Sequence, residues 1–182
     1  MKKFFLCSLI LLGLNVFSQG NLTLKEDGKF IWQNVYDVEL TSELKQALIA
    51  YIHLENLIMI DDNSFKGEFQ VAPDWRKFWI KAGKSPINAA ILVRGNDLRG
   101  TAVIEIKESK YRITVQDILL VWSGSNTSIT TKGDSESIEW YALKNDGTIR
   151  GYWTRTPNWL ELYDYTISDY FDLVVPDGSD DW

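Results

Sequence analysis

The sequence predicts an α+β protein built as a two-layer sandwich, in which an antiparallel sheet carries two main amphipathic helices on one face. Three observations lead to this prediction. Several segments alternate apolar and polar residues with the period of a half-buried strand. Residues 41–56 and 157–174 carry apolar side chains at helical spacing. The order strand, helix, several strands, helix is typical of helices packed on one face of an antiparallel sheet.

The first half of the domain begins with a predicted strand over 29–38, which is rich in aromatic and β-branched residues. The helix over 41–56 follows it directly. Strands at 57–62 and 65–71 then flank a turn of Asp and Asn residues. The helix is predicted from a single apolar stripe, formed by Leu44, Ala47, Leu48, Tyr51 and Ile52.

A short helix is predicted after Pro73, because Asp74 can cap it and Trp75, Phe78 and Trp79 follow at helical spacing. The next stretch has a weaker pattern, and 87–93 is assigned as a strand.

The second half begins with a predicted hairpin, whose strands cover 102–107 and 110–116 and whose second strand continues to Trp122. A polar surface loop follows over 123–137. Another hairpin is predicted at 138–143 and 148–154, because the sequence Asn-Gly or Asp-Gly favours a tight turn and Asn145-Asp146-Gly147 lies between the two segments. The last helix is predicted over 157–174, with Thr156 as its cap, and an acidic tail begins near 176.

The first 18 residues have the pattern of a secretory signal peptide, with Lys2 and Lys3 before an apolar run and Ser18 at the cleavage point. A single domain over 19–182 is expected to remain. The apolar run is shorter than the roughly 20 residues that span a bilayer. Cys7 is not preceded by the small residues of a lipobox. We therefore expect a periplasmic or extracellular protein with no membrane span after cleavage and no lipid.

Composition excludes several functional classes. The net charge is −6, so the Lys/Arg footprint that binds nucleic acid is not expected. The only cysteine lies in the predicted signal peptide, and His53 is the only histidine. A metal site of paired histidines or thiolates is therefore not predicted, nor is any cofactor. Gly133-Asp134-Ser135 resembles an esterase nucleophile motif but has no downstream histidine to act as its base. No catalytic residues are assigned.

One basic and aromatic segment is the candidate binding site. It combines rings that can stack on a ligand with cations that can hold an anionic sugar or another envelope component. The alternative is that its rings dock a short helix on the sheet while its charged side chains face water. The candidate residues are Trp75, Arg76, Lys77, Trp79, Lys81 and Lys84.

Three segments resemble a family of exported Bacteroidetes proteins that share a domain of unknown function. They are KFIWQNVYDV at 29–38, VIEIKESKYRITVQDI at 103–118, and the region from SIEWYALKNDG to YDYTISDYFDL at 137–173. The resemblance implies a TATA-binding-protein-like fold, which is a curved antiparallel sheet with helices across one side. It implies no site residues and no DNA binding, because a fold does not carry a function with it.

The sequence therefore predicts a non-catalytic envelope or secreted module with a binding or assembly role. The partner is left open between an envelope glycan and another envelope protein. The alternative is a glycan hydrolase that works with carboxylates alone, since the approach of two carboxylates is decided by the fold.

Overall fold

The computed structural model describes residues 21–37, 46, 48–49, 52–88, 90–107, 110–125, 130–155 and 158–172. Its described strands form one seven-stranded antiparallel sheet in the order β1-β2-β6-β5-β4-β3, with β7 paired to β6. The strands are β1 (Leu22–Leu24), β2 (Phe30–Asp37), β3 (Glu55–Asp61), β4 (Ser64–Val71), β5 (Asn96–Lys107), β6 (Lys110–Trp122) and β7 (Ser135–Ser137).

The two long central strands, β5 and β6, form the hairpin that their sequences predict. Side chains of β5 alternate between buried and half-buried along almost its whole length, as expected for a strand with one covered face. The pairing of β5 with β6 shifts register between Arg99 and Thr101, and Asp117 on β6 has a φ of 53°. Such a bulge bends a strand and increases its twist, so the hairpin curves at this point.

The described helices are α1 (Trp75–Lys81), α2 (Ile91–Arg94), α3 (Ile138–Ala142) and α4 (Trp159–Phe171), with 3-10 turns at Pro86–Asn88 and Gly151–Trp153. The short helix predicted after Pro73 is confirmed as α1. Its predicted cap is also confirmed, because the Asp74 side chain accepts a hydrogen bond from the Lys77 backbone N–H at 3.0 Å.

The core lies between the sheet and the helices. Phe171 at the end of α4 stacks on Trp32 of β2 and meets Phe69 of β4 edge-on, with ring centroids 5.8 and 5.3 Å apart. Trp79 of α1 and Trp153 belong to the same apolar cluster. The predicted α+β sandwich is therefore confirmed.

Half of the residues of the helix predicted over 41–56 lie outside the described residues. Gln46, Leu48 and Ile49 are helical, and Leu48 is buried in the core as the apolar stripe predicts. The predicted end of this helix at residue 56 is wrong, because β3 already begins at Glu55.

Three predicted strands are wrong. The first, 87–93, is occupied by a 3-10 turn and α2. The second, 138–143, contains α3, whose first turn is capped by Ser137 through a hydrogen bond from Trp140 N. The third, 148–154, contains the Gly151–Trp153 turn. The structure retains two features of the second predicted hairpin. They are the tight turn before Thr148 and a single bridge between Leu143 and Ile149.

The last helix is confirmed between Trp159 and Phe171. Asn158 and Asp172 are its caps, and residues 157, 173 and 174 of the predicted range lie outside the described residues. Its N-terminal cap is Asn158 rather than the predicted Thr156, since the Asn158 side chain accepts hydrogen bonds from Leu160 N and Glu161 N. Within the described part of the chain, no helix is both long and apolar enough to cross a membrane.

Candidate binding clefts

Helix α1 carries most of the candidate binding residues, and its rings do not share one environment. Trp79 is 3% exposed and belongs to the core, so its indole offers no face to a ligand. Trp75 and Phe78 are half-buried and pack against the same core. The structure therefore separates Trp79 from the candidate ligand-binding residues.

The basic side chains of this segment are all exposed, but they do not all converge. The Arg76 guanidinium lies over the Trp75 ring, 5.6 Å from its centroid. Lys84 follows the helix, and its N–H donates to the carbonyl oxygen of Trp79 at 2.9 Å. Lys77 and Lys81 lie one helical turn apart, so they border the same side of α1.

Lys77 and Lys81 line a cleft of about 320 Å³ between α1 and α4, which we call the basic cleft. Phe78 lines it from α1, and Glu161 and Tyr165 line it from α4. The Lys81 ammonium lies over the Tyr165 ring, 5.9 Å from its centroid. Of the six residues proposed from sequence, these two lysines line the basic cleft together.

No pattern in the sequence pointed to Tyr165 and Glu161, the α4 residues of the basic cleft. They follow α1 by about eighty positions in the chain, and both fall within an ordinary amphipathic helix pattern. Their role depends on how α4 packs beside α1.

A second cleft, of about 520 Å³, lies beside α3 and was not predicted. We call it the aromatic cleft. Trp140, 69% exposed, and Tyr152, 45% exposed, both line it. The side chains that could meet a ligand are Trp140, Tyr141, Tyr152, Lys144, Asn145 and Arg150. The prediction of a strand over 138–143 hid this site, because a strand would not place Trp140 as α3 does.

The walls of the aromatic cleft are fixed by hydrogen bonds to the backbone. The Arg150 Nε donates to the carbonyl oxygen of Leu143 at 2.8 Å. The Tyr152 hydroxyl donates to the carbonyl oxygen of Tyr141 at 3.2 Å. Burial raises the pKa of the Tyr141 hydroxyl, and the charge of Glu136 raises it further. The Tyr141 hydroxyl is therefore protonated at neutral pH.

Acidic residues are spread over the clefts rather than paired in one of them. The basic cleft is lined by Glu161, the aromatic cleft by Glu139, and a third cleft of about 160 Å³ beside β5 and β6 by Glu105. Glu139 accepts a hydrogen bond from Phe30 N, and Glu105 pairs with Arg112. Among the described residues no group of three or more metal-ligating side chains is found.

One carboxyl group has a structural role instead. Asp164 of α4 accepts a hydrogen bond from Leu22 N at 3.0 Å and thereby ties β1 to the helix layer. Burial raises the pKa of Asp164, and the hydrogen bond from Leu22 opposes this shift. Asp164 lines none of the three clefts.

The face of the sheet away from the helices carries charges of both signs. Lys66 and Glu68 of β4 are exposed there, and the Arg112 guanidinium of β6 is paired with Glu105 of β5. Lys107 and Lys110 are cross-strand partners at the end of the same hairpin, and the Lys110 ammonium pairs with Asp37.

The antiparallel sheet with its helix layer is an α+β fold with a TATA-binding-protein-like architecture. Among solved structures, the chain is similar to a TBP-like protein from Parabacteroides distasonis, with a TM-score of 0.50, 14% identity, and coverage of 81% of this chain and 90% of that one. It also matches a DUF4468 family protein from Bacteroides ovatus, with a TM-score of 0.44, 11% identity, and 85% of each chain covered.

No protein-family model and no curated protein matches the chain. The resemblance stated from the sequence is confirmed at the level of the fold, by a TBP-like neighbour from the Bacteroidetes. At this identity the likeness concerns the fold alone, so function has to be argued from the clefts.

Proposed function

We propose that this protein is a non-catalytic binding module of the cell envelope, and that its basic cleft holds anionic groups of an envelope polysaccharide. The observation that carries the proposal is the convergence of Lys77 and Lys81 on a cleft that also contains the Phe78 and Tyr165 rings. In a chain with a net charge of −6, two adjacent cations beside aromatic rings form a local site of opposite sign.

The basic cleft suits weak, repeated binding rather than one tight contact. Both ammonium groups are exposed, so solvent and salt screen their attraction for a carboxylate or phosphate. Glu161 reduces the net positive charge, although its Oε1 accepts a hydrogen bond from Asn158 Nδ2 at 3.2 Å. A polymer that presents the same anionic group many times gains avidity that a single group lacks.

A binding role is favoured over the alternative of a carboxylate-dependent glycan hydrolase. Glycosidases place two carboxyl groups roughly 5–10 Å apart across the scissile bond. Each of the three clefts is lined by one acidic residue. The clefts therefore support the holding of a glycan better than its cleavage.

The basic cleft is tested by the double variant Lys77→Glu/Lys81→Glu on immobilised dextran sulfate, an anionic polysaccharide without uronic acid units, at about 50 mM salt, where charges are weakly screened. We expect the wild type to be retarded and the variant to elute with the unretained fraction, because the attraction becomes repulsion. The free energy of unfolding should change by less than about 1 kcal/mol, since exposed charges contribute little to stability.

The matched control is Lys25→Glu/Lys29→Glu, which makes the same change of charge at two exposed lysines of the β1–β2 hairpin. This control should keep most of the retention. If both double variants lose retention equally, the binding reflects net charge and not the basic cleft. If neither loses it, the proposed role of Lys77 and Lys81 is wrong.

Export of the protein is part of the same proposal. We expect signal peptidase to cleave after Ser18, so that the exported chain begins at Gln19 and carries no lipid, because Cys7 is not preceded by a lipobox. Intact-mass spectrometry of the protein recovered from the periplasm or the medium checks this. A mass that includes Met1, or a diacylglyceryl adduct, would contradict it.

A further inference from the structure

We propose that the aromatic cleft is a second binding site, specific for a sugar ring that bears a carboxylate. This site goes beyond the proposed function, since it lies beside α3 and shares no residue with the basic cleft. It does not need the basic cleft to be occupied.

Trp140 is the first observation behind this inference. Helix α3 buries Ile138 and Ala142 and leaves the Trp140 indole 69% exposed, so the ring does not serve the core of this chain. A single exposed apolar side chain is common in proteins and proves nothing alone. Here, however, a second exposed ring, Tyr152, lines the same cleft. Two rings on one cleft offer an apolar face to a flat ligand.

The second ring is held in place before any ligand arrives. Tyr152 meets Trp159 of α4 edge-on, with ring centroids 5.1 Å apart, and also contacts Trp153, which is fully buried. Its hydroxyl is tied to the backbone at Tyr141. Because these contacts fix the rotamer, binding costs little side-chain entropy at this residue.

The charged and polar groups of the cleft indicate what the ring must carry. Lys144 and Arg150 both line it, and Arg150 is oriented by the hydrogen bond from its Nε to Leu143. The terminal nitrogens of a guanidinium can bind a carboxylate in a two-pronged geometry. Asn145 adds an amide that both donates and accepts, as sugar hydroxyls require. A uronic acid unit combines a ring, a carboxylate and hydroxyls in this way.

The volume of the aromatic cleft is consistent with a short ligand. The cleft volume of about 520 Å³ falls within the range of about 300–1,000 Å³ that small-molecule sites occupy. A disaccharide is therefore a suitable probe. It is also too short to act as the repeated anionic polymer that the basic cleft is proposed to hold.

The test is a titration of the purified protein with digalacturonate. Calorimetry measures the affinity, and NMR monitors the signal of the Trp140 indole N–H. Two control ligands are compared with it. Maltose has sugar rings without a carboxylate, and triglutamate has carboxylates without a sugar ring. We expect digalacturonate to bind and to shift the Trp140 signal, with about tenfold weaker binding of either control ligand, because each lacks one of the two recognition elements.

The variants separate stacking from charge. Trp140→Ala should weaken digalacturonate binding by about tenfold or more, while Trp140→Phe should keep most of it, because a phenyl ring still stacks. Arg150→Lys keeps the positive charge but removes the guanidinium, which can bind a carboxylate through two nitrogens. It should weaken digalacturonate binding about fivefold. Ile87→Ala is the matched control, since Ile87 is an 80% exposed apolar residue that lines neither cleft and should leave binding unchanged.

The outcomes distinguish this inference from the proposed function. Lys77→Glu/Lys81→Glu should lose retention on dextran sulfate and keep digalacturonate binding. Trp140→Ala should keep the retention on dextran sulfate and lose digalacturonate binding. No binding of digalacturonate, equal binding of triglutamate, or unchanged affinity in Trp140→Ala would each overturn the second site. None of these outcomes at the aromatic cleft would change the conclusion drawn for the basic cleft.

Discussion

Phe171→Ala is expected to lower the free energy of unfolding by about 3–5 kcal/mol, the range for truncating a buried phenylalanine. Phe171 is fully buried at the end of α4. Its ring contacts Trp32 of β2, Phe69 of β4 and Tyr170, with centroids 4.9–5.8 Å apart. Removing it leaves a cavity where the last helix meets two strands, and denaturant unfolding followed by tryptophan fluorescence measures the loss.

Asp169→Ala is the control for this experiment, because Asp169 is exposed on the same helix. It should change stability by less than about 0.5 kcal/mol. If Phe171→Ala costs less than about 1 kcal/mol, α4 is a peripheral element and the packing described above is wrong. A large loss in both variants would point to the helix itself and not to the Phe171 ring.

Trp153→Ala is expected to lower stability by a similar amount, about 3–5 kcal/mol. Trp153 lies in the Gly151–Trp153 turn, is fully buried, and is surrounded by other rings. Its ring centroid lies 5.3 Å from that of Trp159 and 5.6 Å from that of Tyr163. Truncating Trp153 leaves a cavity among these rings, and the loss of stability is measured by urea unfolding.

Arg155→Ala, two residues further along the chain at an exposed position, is the comparison for Trp153→Ala. It should be nearly neutral, and both proteins are measured in the same urea titration. A cost below about 1 kcal/mol for Trp153→Ala would show that the ring cluster contributes little to the fold. The rigid support inferred for Tyr152 would then also fail, because Trp153 and Trp159 both contact its ring.

Both candidate sites lie on the helix layer and its connections, not on the open face of the sheet. Helix α4 contributes to both of them: Glu161 and Tyr165 line the basic cleft, and Trp159 supports Tyr152 in the aromatic cleft. The two stability experiments therefore examine α4 itself and the Trp153 ring that packs against it. Any function of this chain is set by such side chains and not by its TBP-like architecture.

Local patterns in the sequence determined the fold class, several strands of the sheet and α1. Strands β2, β4 and β6 lie where alternation and β-branched or aromatic residues predicted them, because both signals depend on neighbours within a few positions. The Asp74 cap was predictable for the same reason, since the capping side chain and the backbone N–H that donates to it lie three residues apart.

Short apolar segments were where local pattern failed. Residues 87–93 and 138–143 were predicted as strands, yet they contain α2 and α3. Periodicity cannot separate a short buried helix from a short strand, because four or five residues complete little more than one helical turn. Packing decided the outcome: Val93 and Ile138 are both fully buried in the core that the sheet presents.

The binding residues were decided by tertiary structure. Trp79 and Trp140 are both tryptophans next to another aromatic residue in the sequence, yet one is 3% exposed and the other 69%. Lys81 was named from its own segment, but the ring beneath it, Tyr165, belongs to a helix far along the chain. Composition and spacing determine which side chains are present. Which of these side chains face a cleft together depends on contacts between elements that are distant in sequence. Local sequence patterns do not specify those contacts.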